Sequence, residues 1–321
     1  MVGKLTPDNQ MSASRIPQLL NASPYGTPNE LLDEFLQRDA GTYVDEFVEN
    51  DAMYLGNLAE PMLLRECGKR LGMTGVQTEI TEPYQHKDLA LAASLDGRGK
   101  GNGLIKADPD RKIFLPQGGT IETAGKIGIV ESKLTSAPPS ERPRWYRGPL
   151  QLQAQLMCYP EAKWGAIVTL YQSIHLYIYV YRPDPVVQMQ IRDAVVDFER
   201  RRKERDYYPP YSPGDARIAY SSVDLSLPMI DIEPDTDEAI ALEQLLLAQR
   251  SKANAEEDIS DATTTLMDAI GEAPGARGLV GNKMVEVKWP SRNYKAQPEK
   301  VTPAKPARTV RAKTLSVKEI D

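Results

Sequence analysis

The sequence predicts a mixed α/β fold in one sizeable N-terminal domain, followed by a helical and basic C-terminal appendage. Segments with apolar residues at helical spacing alternate with short strand-like segments up to about residue 205. The length of 321 residues is sufficient for one such domain and an addition to it. From about residue 213 the character of the sequence changes, and a helical, charged stretch is followed by a basic one.

Two helices are predicted before the main strands. The segment TPNELLDEFLQRD, residues 27–39, opens with Thr27 as N-cap, Pro28 at the first helical position and Glu30 three residues after the cap, which is a capping box. Residues 52–73 have apolar side chains at helical spacing up to Gly72, where we expect that helix to end.

Strands and two further helices complete the predicted domain. Residues 148–160, GPLQLQAQLMCYP, form a short helix on their pattern, and a charged helix follows residue 184. Two apolar strands, WGAIVTLYQ and IHLYIYVYRP, are joined by a tight turn near Gln172 and Ser173. The earlier strand-like segments are 76–84, 89–97 and 125–134.

The C-terminal third divides into three predicted parts after a domain of residues 1–212. Residues 213–234 are a linker, 235–272 an αα-hairpin, and 273–321 a small basic β-hairpin with a tail. Residues 282–321 contain ten Lys or Arg against four acids, a local charge of +6, and two short strand-like segments of alternating pattern, MVEVKW and KTLSVKEI. This stretch is either a solvated tail or a surface that offers Arg311 and Lys313 to DNA phosphates.

Composition excludes several classes of protein. With 39 basic and 45 acidic residues the chain has net charge −6, so any surface for nucleic acid must be local. Two cysteines and two histidines are too few for a Cys₄ zinc or iron–sulfur site. A bound metal would be held mainly by oxygen ligands, which suits Mg²⁺ or Mn²⁺. No apolar run approaches the roughly 20 residues of a membrane span, and a cytoplasmic setting is expected.

The segment GIVESKL, residues 128–134, places Glu131 and Lys133 on the same side of a strand. A half-exposed strand with a simple ion pair accounts for this pattern when it is taken alone. However, a neighbouring strand that ends at Asp96 would bring a second carboxylate to within about 5 Å of Glu131. Two such carboxylates repel unless a proton or cation lies between them. A divalent cation with the Ser132 carbonyl as a further ligand resolves this, and Lys133 is then placed to polarise water or stabilise charge on a phosphate.

These residues resemble the bipartite motif of PD-(D/E)XK nucleases, with SLDG followed by VESK. Other segments are similar to YqaJ-like and lambda-exonuclease-like viral recombinases, in the same order along residues 11–200: MSASRIPQLLNASPYGTPNELLDEF, GNLAEPMLLRECGKRLGM and LQLQAQLMCYPEAKWGAIVTL. The resemblance implies a PD-(D/E)XK nuclease core. Ser94 and Leu95 stand where the family more usually has a small residue and proline. This difference should alter the turn but leave the Asp96 carboxylate in position.

The resemblance also implies roles for single residues. Asp96 and Glu131 match the metal-binding acids, Ser132 the residue that lends a carbonyl, and Lys133 the catalytic lysine. Glu60 matches a carboxylate that completes the metal site directly or through water. Gln151 matches a glutamine that orients the active site or the substrate, although Gln153 and Gln155 on the same helix are alternatives.

The function that the resemblance implies is a Mg²⁺-dependent DNA exonuclease, with Mn²⁺ as a plausible substitute. It would digest one strand of duplex ends from 5′ to 3′ and leave a single strand for an annealing protein or recombinase. A phage or prophage origin and a ring-shaped homo-oligomer are further implications. Two alternatives are an endonuclease on the same core and a catalytically silent DNA-binding scaffold.

The segment SERPRWYRGP just before the glutamine helix is the second candidate contact with nucleic acid. It interleaves Arg142, Arg144 and Arg147 with Trp145 and Tyr146. Arginines bind phosphate and aromatic rings stack on unpaired bases, so we interpret this segment, together with Gln151, as a DNA-binding loop. A packed structural loop is the alternative.

Overall fold

The computed structural model describes residues 10–44 and 50–289, together with residues 6 and 48. The described chain divides into two compact units, and the division falls between Ser221 and Ser222. Among the described residues, no helix is both long and apolar enough to cross a membrane.

The first unit is built on a six-stranded mixed sheet with the order β2-β5-β9-β10-β11-β7. Its central strands β9 and β10 are parallel, while the β5–β9 and β10–β11 pairs are antiparallel. The six strands are β2 (Thr74–Gln77), β5 (Gly97–Lys100), β7 (Ile113–Phe114), β9 (Ile127–Thr135), β10 (Ala162–Tyr171) and β11 (His175–Tyr181). The prediction of a mixed α/β fold is confirmed.

Two small sheets and six helices surround the main sheet in the described part of this unit. One small sheet contains β1 (Met11–Ser12), β3 (Tyr84–Gln85) and β4 (Leu91–Ala93), and the other β6 (Leu104–Ile105) and β8 (Ile121–Glu122). The helices are α1 (Ile16–Leu19), α2 (Pro28–Asp39), α3 (Asp51–Leu71), α4 (Pro149–Cys158), α5 (Pro185–Glu204) and α6 (Pro213–Ala219).

Local sequence signals explain several of these boundaries. Thr27 and Glu30 form the predicted capping box of α2, and α3 ends at Gly72 as expected. The β10–β11 connection turns at Gln172 and Ser173, which have φ values of 51° and 62°. Positive φ at two successive residues is typical of tight hairpin turns, so the turn predicted there is confirmed.

The main sheet is covered on both faces. Helix α3 packs Leu63 and Leu64 on the face that carries Val130 and Trp164, and α4 packs Leu152 on the face that carries Ile167. Strand β9 can lie beside Trp164 because residue 128 is glycine, and any Cβ there would collide with the indole ring. Packing on both faces fixes the position of β9, the strand that contains Glu131 and Lys133.

The predicted start of the linker at residue 213 is wrong. Residues 213–219 form α6, which packs against α2 and belongs to the first unit. The buried Asp215 carboxylate accepts hydrogen bonds from the Thr27 hydroxyl at 2.5 Å and the Asn29 side-chain amide at 3.0 Å. The Pro- and Tyr-rich sequence before α6 suggested an extended linker, but these long-range hydrogen bonds to α2 fold the segment onto the domain.

The second unit contains one long helix where an αα-hairpin was predicted. Helix α7 runs without a break over Asp237–Ile270. The predicted hairpin is wrong because residues 237–270 contain no glycine or proline that would end the first helix. The polar stretch between the two apolar groups of the pattern is an exposed part of the same helix.

A β-hairpin follows α7, as the sequence predicts for the basic appendage. It pairs β12 (Gly275–Val280) with β13 (Lys283–Lys288) in antiparallel register. The predicted strand MVEVKW lies largely within β13, whereas β12 was not predicted as a strand. The other predicted strand, KTLSVKEI, lies outside the described residues, as do Arg311 and Lys313.

Candidate active site

The antiparallel pairing of β5 with β9 brings Asp96 to the site. Gly97 is paired with Val130, so Asp96, directly before β5, lies opposite Glu131. The Ser132 main-chain N–H donates a hydrogen bond to Asp96 Oδ2 at 2.8 Å, and the Ser132 hydroxyl is 3.1 Å from the same oxygen. The two acidic positions that the sequence predicted as neighbours are therefore brought together at the start of β5. The prediction of a strand that ends at Asp96 is wrong, because β4 covers only Leu91–Ala93 and pairs with β1 and β3 rather than with β9.

Glu131 and Lys133 form a close ion pair on β9. Lys133 Nζ lies 2.6 Å from Glu131 Oε1, and the Glu131 side chain is only 2% exposed. A buried charge of this kind needs both an opposite charge and hydrogen bonds. The alternative of a simple ion pair on a half-exposed strand therefore does not fit Glu131, which is buried. Lys133 is 32% exposed.

Helix α4 supplies two glutamines to this pair. Gln151 Oε1 accepts a hydrogen bond from Lys133 Nζ at 2.9 Å, and Gln155 Nε2 donates to Glu131 Oε2 at 2.6 Å. Residues four apart lie on one face of a helix, which explains why both reach the site. Gln153 instead donates to the Arg182 carbonyl at 2.9 Å, away from this network. The sequence favoured Gln151 and left the choice open; the structure places both Gln151 and Gln155 at the site.

The three acids of the site repel one another. Burial, and then the charges of Glu131 and Glu60, hold the pKa of Asp96 well above its usual value. The pKa of Glu60, on α3, is also raised, first by burial and then by the charge of Glu131. Burial alone would lower the pKa of Lys133, but the carboxylates of Glu131 and Asp96 outweigh it, and the net pKa is raised. The site therefore gathers more negative charge than one lysine neutralises.

The donor chemistry of this cluster fits a divalent cation. Carboxylate and carbonyl oxygens are the ligands that Mg²⁺ prefers, and a cation would relieve the repulsion that raises the pKa of Asp96 and Glu60. The Ser132 carbonyl is suitably directed, because N–H and C=O of one strand residue point to the same side and the N–H of Ser132 faces Asp96. In the described chain, however, no group of three or more His, Cys, Asp or Glu side chains is already arranged as a metal site. Glu131 is instead bonded to Lys133 and Gln155.

A cleft opens beside Lys133 and Gln151. Its volume is about 320 Å³, and its lining includes Arg15, Tyr25, Tyr146 and Arg147 in addition to those two residues. Arg147 is held there by a hydrogen bond to the Thr135 hydroxyl and by its position over the Tyr146 ring. Positive and aromatic side chains therefore border the predicted catalytic lysine.

The predicted DNA-binding loop is divided between two cavities. Arg147 lines the cleft with Lys133, whereas Arg142 and Trp145 line a second cavity of about 320 Å³. Arg144 is exposed and lies close enough to Tyr146 to lower the pKa of that phenol, together with the larger effect of Arg147. The structure therefore does not bring the loop's predicted contacts together at one point.

Sequence reasoning identified Tyr146 in the loop before α4 but missed a second aromatic residue of the cleft, Tyr25. Tyr25 and Tyr146 meet edge to face, with ring centroids 5.9 Å apart, and Tyr25 is 79% exposed. Tyr25 lies in the SPYGTP segment that carried part of the family resemblance, so the signal was present. Its position next to a loop more than 100 residues later in the chain could not be read from local pattern.

Comparison with known proteins assigns the family. The model of the YqaJ-like viral recombinase domain matches residues 7–303, which is most of the chain, and the protein belongs to this family. No curated protein matches the chain.

Two solved structures of an alkaline exonuclease are similar to this chain at low sequence identity. An alkaline exonuclease from Laribacter hongkongensis, LHK-Exo, is 17% identical, with 61% of this chain and 89% of that chain covered and a TM-score of 0.43. Its complex with dAMP gives a TM-score of 0.44 at the same identity and coverage.

Proposed function

We propose that the protein is a metal-dependent DNA exonuclease that hydrolyses phosphodiester bonds at duplex ends. The observation that carries the proposal is the joined network of Asp96, Glu131, Lys133 and the two α4 glutamines beside a basic cleft, in a chain of the YqaJ-like family. A surface ion pair would need neither a buried glutamine partner, Gln155, nor a second carboxylate.

Asp96 and Glu131, the Ser132 carbonyl and, directly or through water, Glu60 are the groups that would hold Mg²⁺, with Mn²⁺ as a substitute. When bound, the ion would supply an activated water for in-line attack and stabilise the leaving oxygen. Lys133, held by Glu131 and Gln151, places its ammonium at the cleft, where negative charge develops on the phosphate. Gln155 keeps the Glu131 carboxylate in a fixed orientation.

The cleft beside the network would take the strand that is cut. Arg147 offers positive charge there, beside Arg15, which is ion-paired with Glu34 at 2.6 Å. Tyr25 and Tyr146 offer aromatic faces to bases at the duplex end. We further propose digestion from 5′ to 3′, which would leave a single strand for an annealing protein or recombinase. A phage or prophage setting in a host cytoplasm and a ring-shaped homo-oligomer belong to the same proposal.

Digestion of labelled DNA tests this function. Linear duplex labelled at either the 5′ or the 3′ end, and covalently closed circular duplex, are incubated with the protein in Mg²⁺ or in EDTA. We expect loss of linear DNA only, in Mg²⁺ only, with early release of the 5′ label. Cutting of closed circles would show an endonuclease, and binding without cutting of either DNA would show a silent scaffold.

A further inference from the structure

The cavity that contains Trp145 is separate from the cleft of the candidate active site. It shares no lining residue with that cleft, although the loop before α4 borders both. Its lining includes Gln117, Arg142, Trp145, Gln153 and Asp184. With about 320 Å³ it lies at the small end of ligand pockets and has no room for a duplex.

The walls of this cavity are held in place. Gln153 accepts a hydrogen bond from the Asp184 main-chain N–H at 2.8 Å, and Gln117 accepts one from the Arg182 N–H at 2.8 Å. The loop itself is fixed at its first residue, because the buried Tyr179 hydroxyl donates to the Ser140 carbonyl. A pocket with walls fixed in this way needs little ordering when it binds a ligand.

Two groups in the cavity are free to meet a ligand. The Trp145 side chain is 56% exposed. In the described part of the chain, no hydrogen bond or ion pair engages the Arg142 guanidinium. The one carboxylate in the lining, that of Asp184, is engaged in capping α5. Its Oδ1 accepts hydrogen bonds from the N–H groups of Val186 and Val187 at 3.1 and 3.3 Å.

We propose that the Trp145 cavity binds an unpaired nucleotide of the strand that is not cut. The indole ring would stack on the base and Arg142 would bind a neighbouring phosphate. This inference rests on the proposed function, since digestion of one strand from a duplex end leaves the other strand unpaired. The loop would then separate the two strands, with Arg147 on the side of Lys133 and Trp145 on the other side.

Binding of a fluorescein-labelled thymidine oligonucleotide in EDTA tests the proposal without cleavage. We compare the full-length protein with Trp145→Ala and Trp145→Phe by anisotropy. Tyr211→Ala is the matched control, because Tyr211 is 59% exposed and lines neither cavity. We expect Trp145→Ala to weaken binding by about 5- to 100-fold, as for the loss of one stacked base, and Trp145→Phe to retain most of the affinity.

Two further measurements distinguish binding in this cavity from general DNA binding. A relaxed, covalently closed circular duplex, which has neither ends nor unpaired nucleotides, should bind equally well to the original protein and to Trp145→Ala. Arg142→Ala should lower the slope of log affinity against log salt by about 0.7 for the oligonucleotide. Equal oligonucleotide affinity of Trp145→Ala and Tyr211→Ala would overturn the proposal. Failure of the unmodified protein to digest linear duplex would instead overturn the proposed exonuclease, and the two failures are therefore distinguishable.

Discussion

At the scale of single residues, the buried Glu131 carboxylate determines how the site is built. It has one partner on its own strand, Lys133, and one on α4, Gln155, each at 2.6 Å. Gln151 contacts only the lysine and lies at the edge of the cleft. The two glutamines therefore differ in what their removal should cost.

We predict that Gln155→Ala lowers the free energy of unfolding by about 1–3 kcal/mol, because it leaves a buried carboxylate oxygen without a donor. Gln151→Ala should change stability by less than about 1 kcal/mol, since water can reach Lys133, yet it should slow DNA digestion. Urea unfolding followed by circular dichroism, alongside the digestion rate of each variant, measures both effects. Equal stability of the two variants would contradict the assigned roles.

The two cysteines provide a prediction for pH. Burial raises the pKa of the Cys158 thiol to about 12 and also raises that of Cys67. An unfolded thiol has a pKa of about 8.5, so the folded state holds these protons more tightly. The resulting contribution to stability is complete below about pH 8.5 and is lost as the pH rises towards the folded value.

We expect both thiols to be unreactive towards a disulfide reagent in the native protein at pH 8 and to react at once in guanidinium. The free energy of unfolding should fall as pH rises from 8.5 to 10, and a Cys67→Ala, Cys158→Ala double variant should show a smaller fall. Rapid labelling of either thiol in the native protein would contradict their burial.

At the scale of elements, the contact between α2 and α6 closes the first unit. Asp215 on α6 accepts hydrogen bonds from the side chains of Thr27 and Asn29 and from the main chain of Tyr211. Thr27 and Asn29 are 188 and 186 residues away from Asp215 in the sequence. The Thr27 hydroxyl that makes this bond also caps α2. One buried carboxylate therefore joins the start of α2 to the last helix of the unit.

We predict that Asp215→Ala lowers the free energy of unfolding by about 2–3 kcal/mol, because several buried donors lose their acceptor. The exposed Asp193→Ala, on α5 of the same unit, is the control, with an expected change of less than about 0.5 kcal/mol. Chemical unfolding of both variants measures the difference. A change as small as that of the control would show that α6 is not part of the stable unit.

Elements with local signals were predictable from the sequence, and those that depend on distant contacts were not. Thr27, Pro28 and Glu30 fixed the start of α2 because capping is a local interaction. Strand β5 was missed because GRGK has no strand composition; its glycines leave room for Leu64 and Met73, and β9 supplies its pairing. Likewise, Glu131 and Lys133 could be read from strand alternation, whereas the strand that positions Asp96 and the division between Gln151, Gln153 and Gln155 required the pairing of β5 and the position of α4.

At the scale of the whole molecule, charge is unevenly distributed. The chain carries −6 overall, yet residues 282–321 contain ten basic and four acidic residues. The cleft at Lys133 is bordered by Arg15 and Arg147 despite the net negative charge. Both features fit a protein that attracts DNA locally, and the exonuclease proposal places the chemistry entirely in the first unit.

The most direct test of that claim is the rate of nucleotide release from linear duplex DNA by Lys133→Ala. The matched control is Lys163→Ala, which removes the same charge at an exposed position near the start of the adjacent strand β10. We predict that Lys133→Ala lowers the rate at least about 100-fold, with circular dichroism unchanged, and that Lys163→Ala digests at the normal rate. Normal digestion by Lys133→Ala would contradict the account and place the catalytic site elsewhere in the molecule.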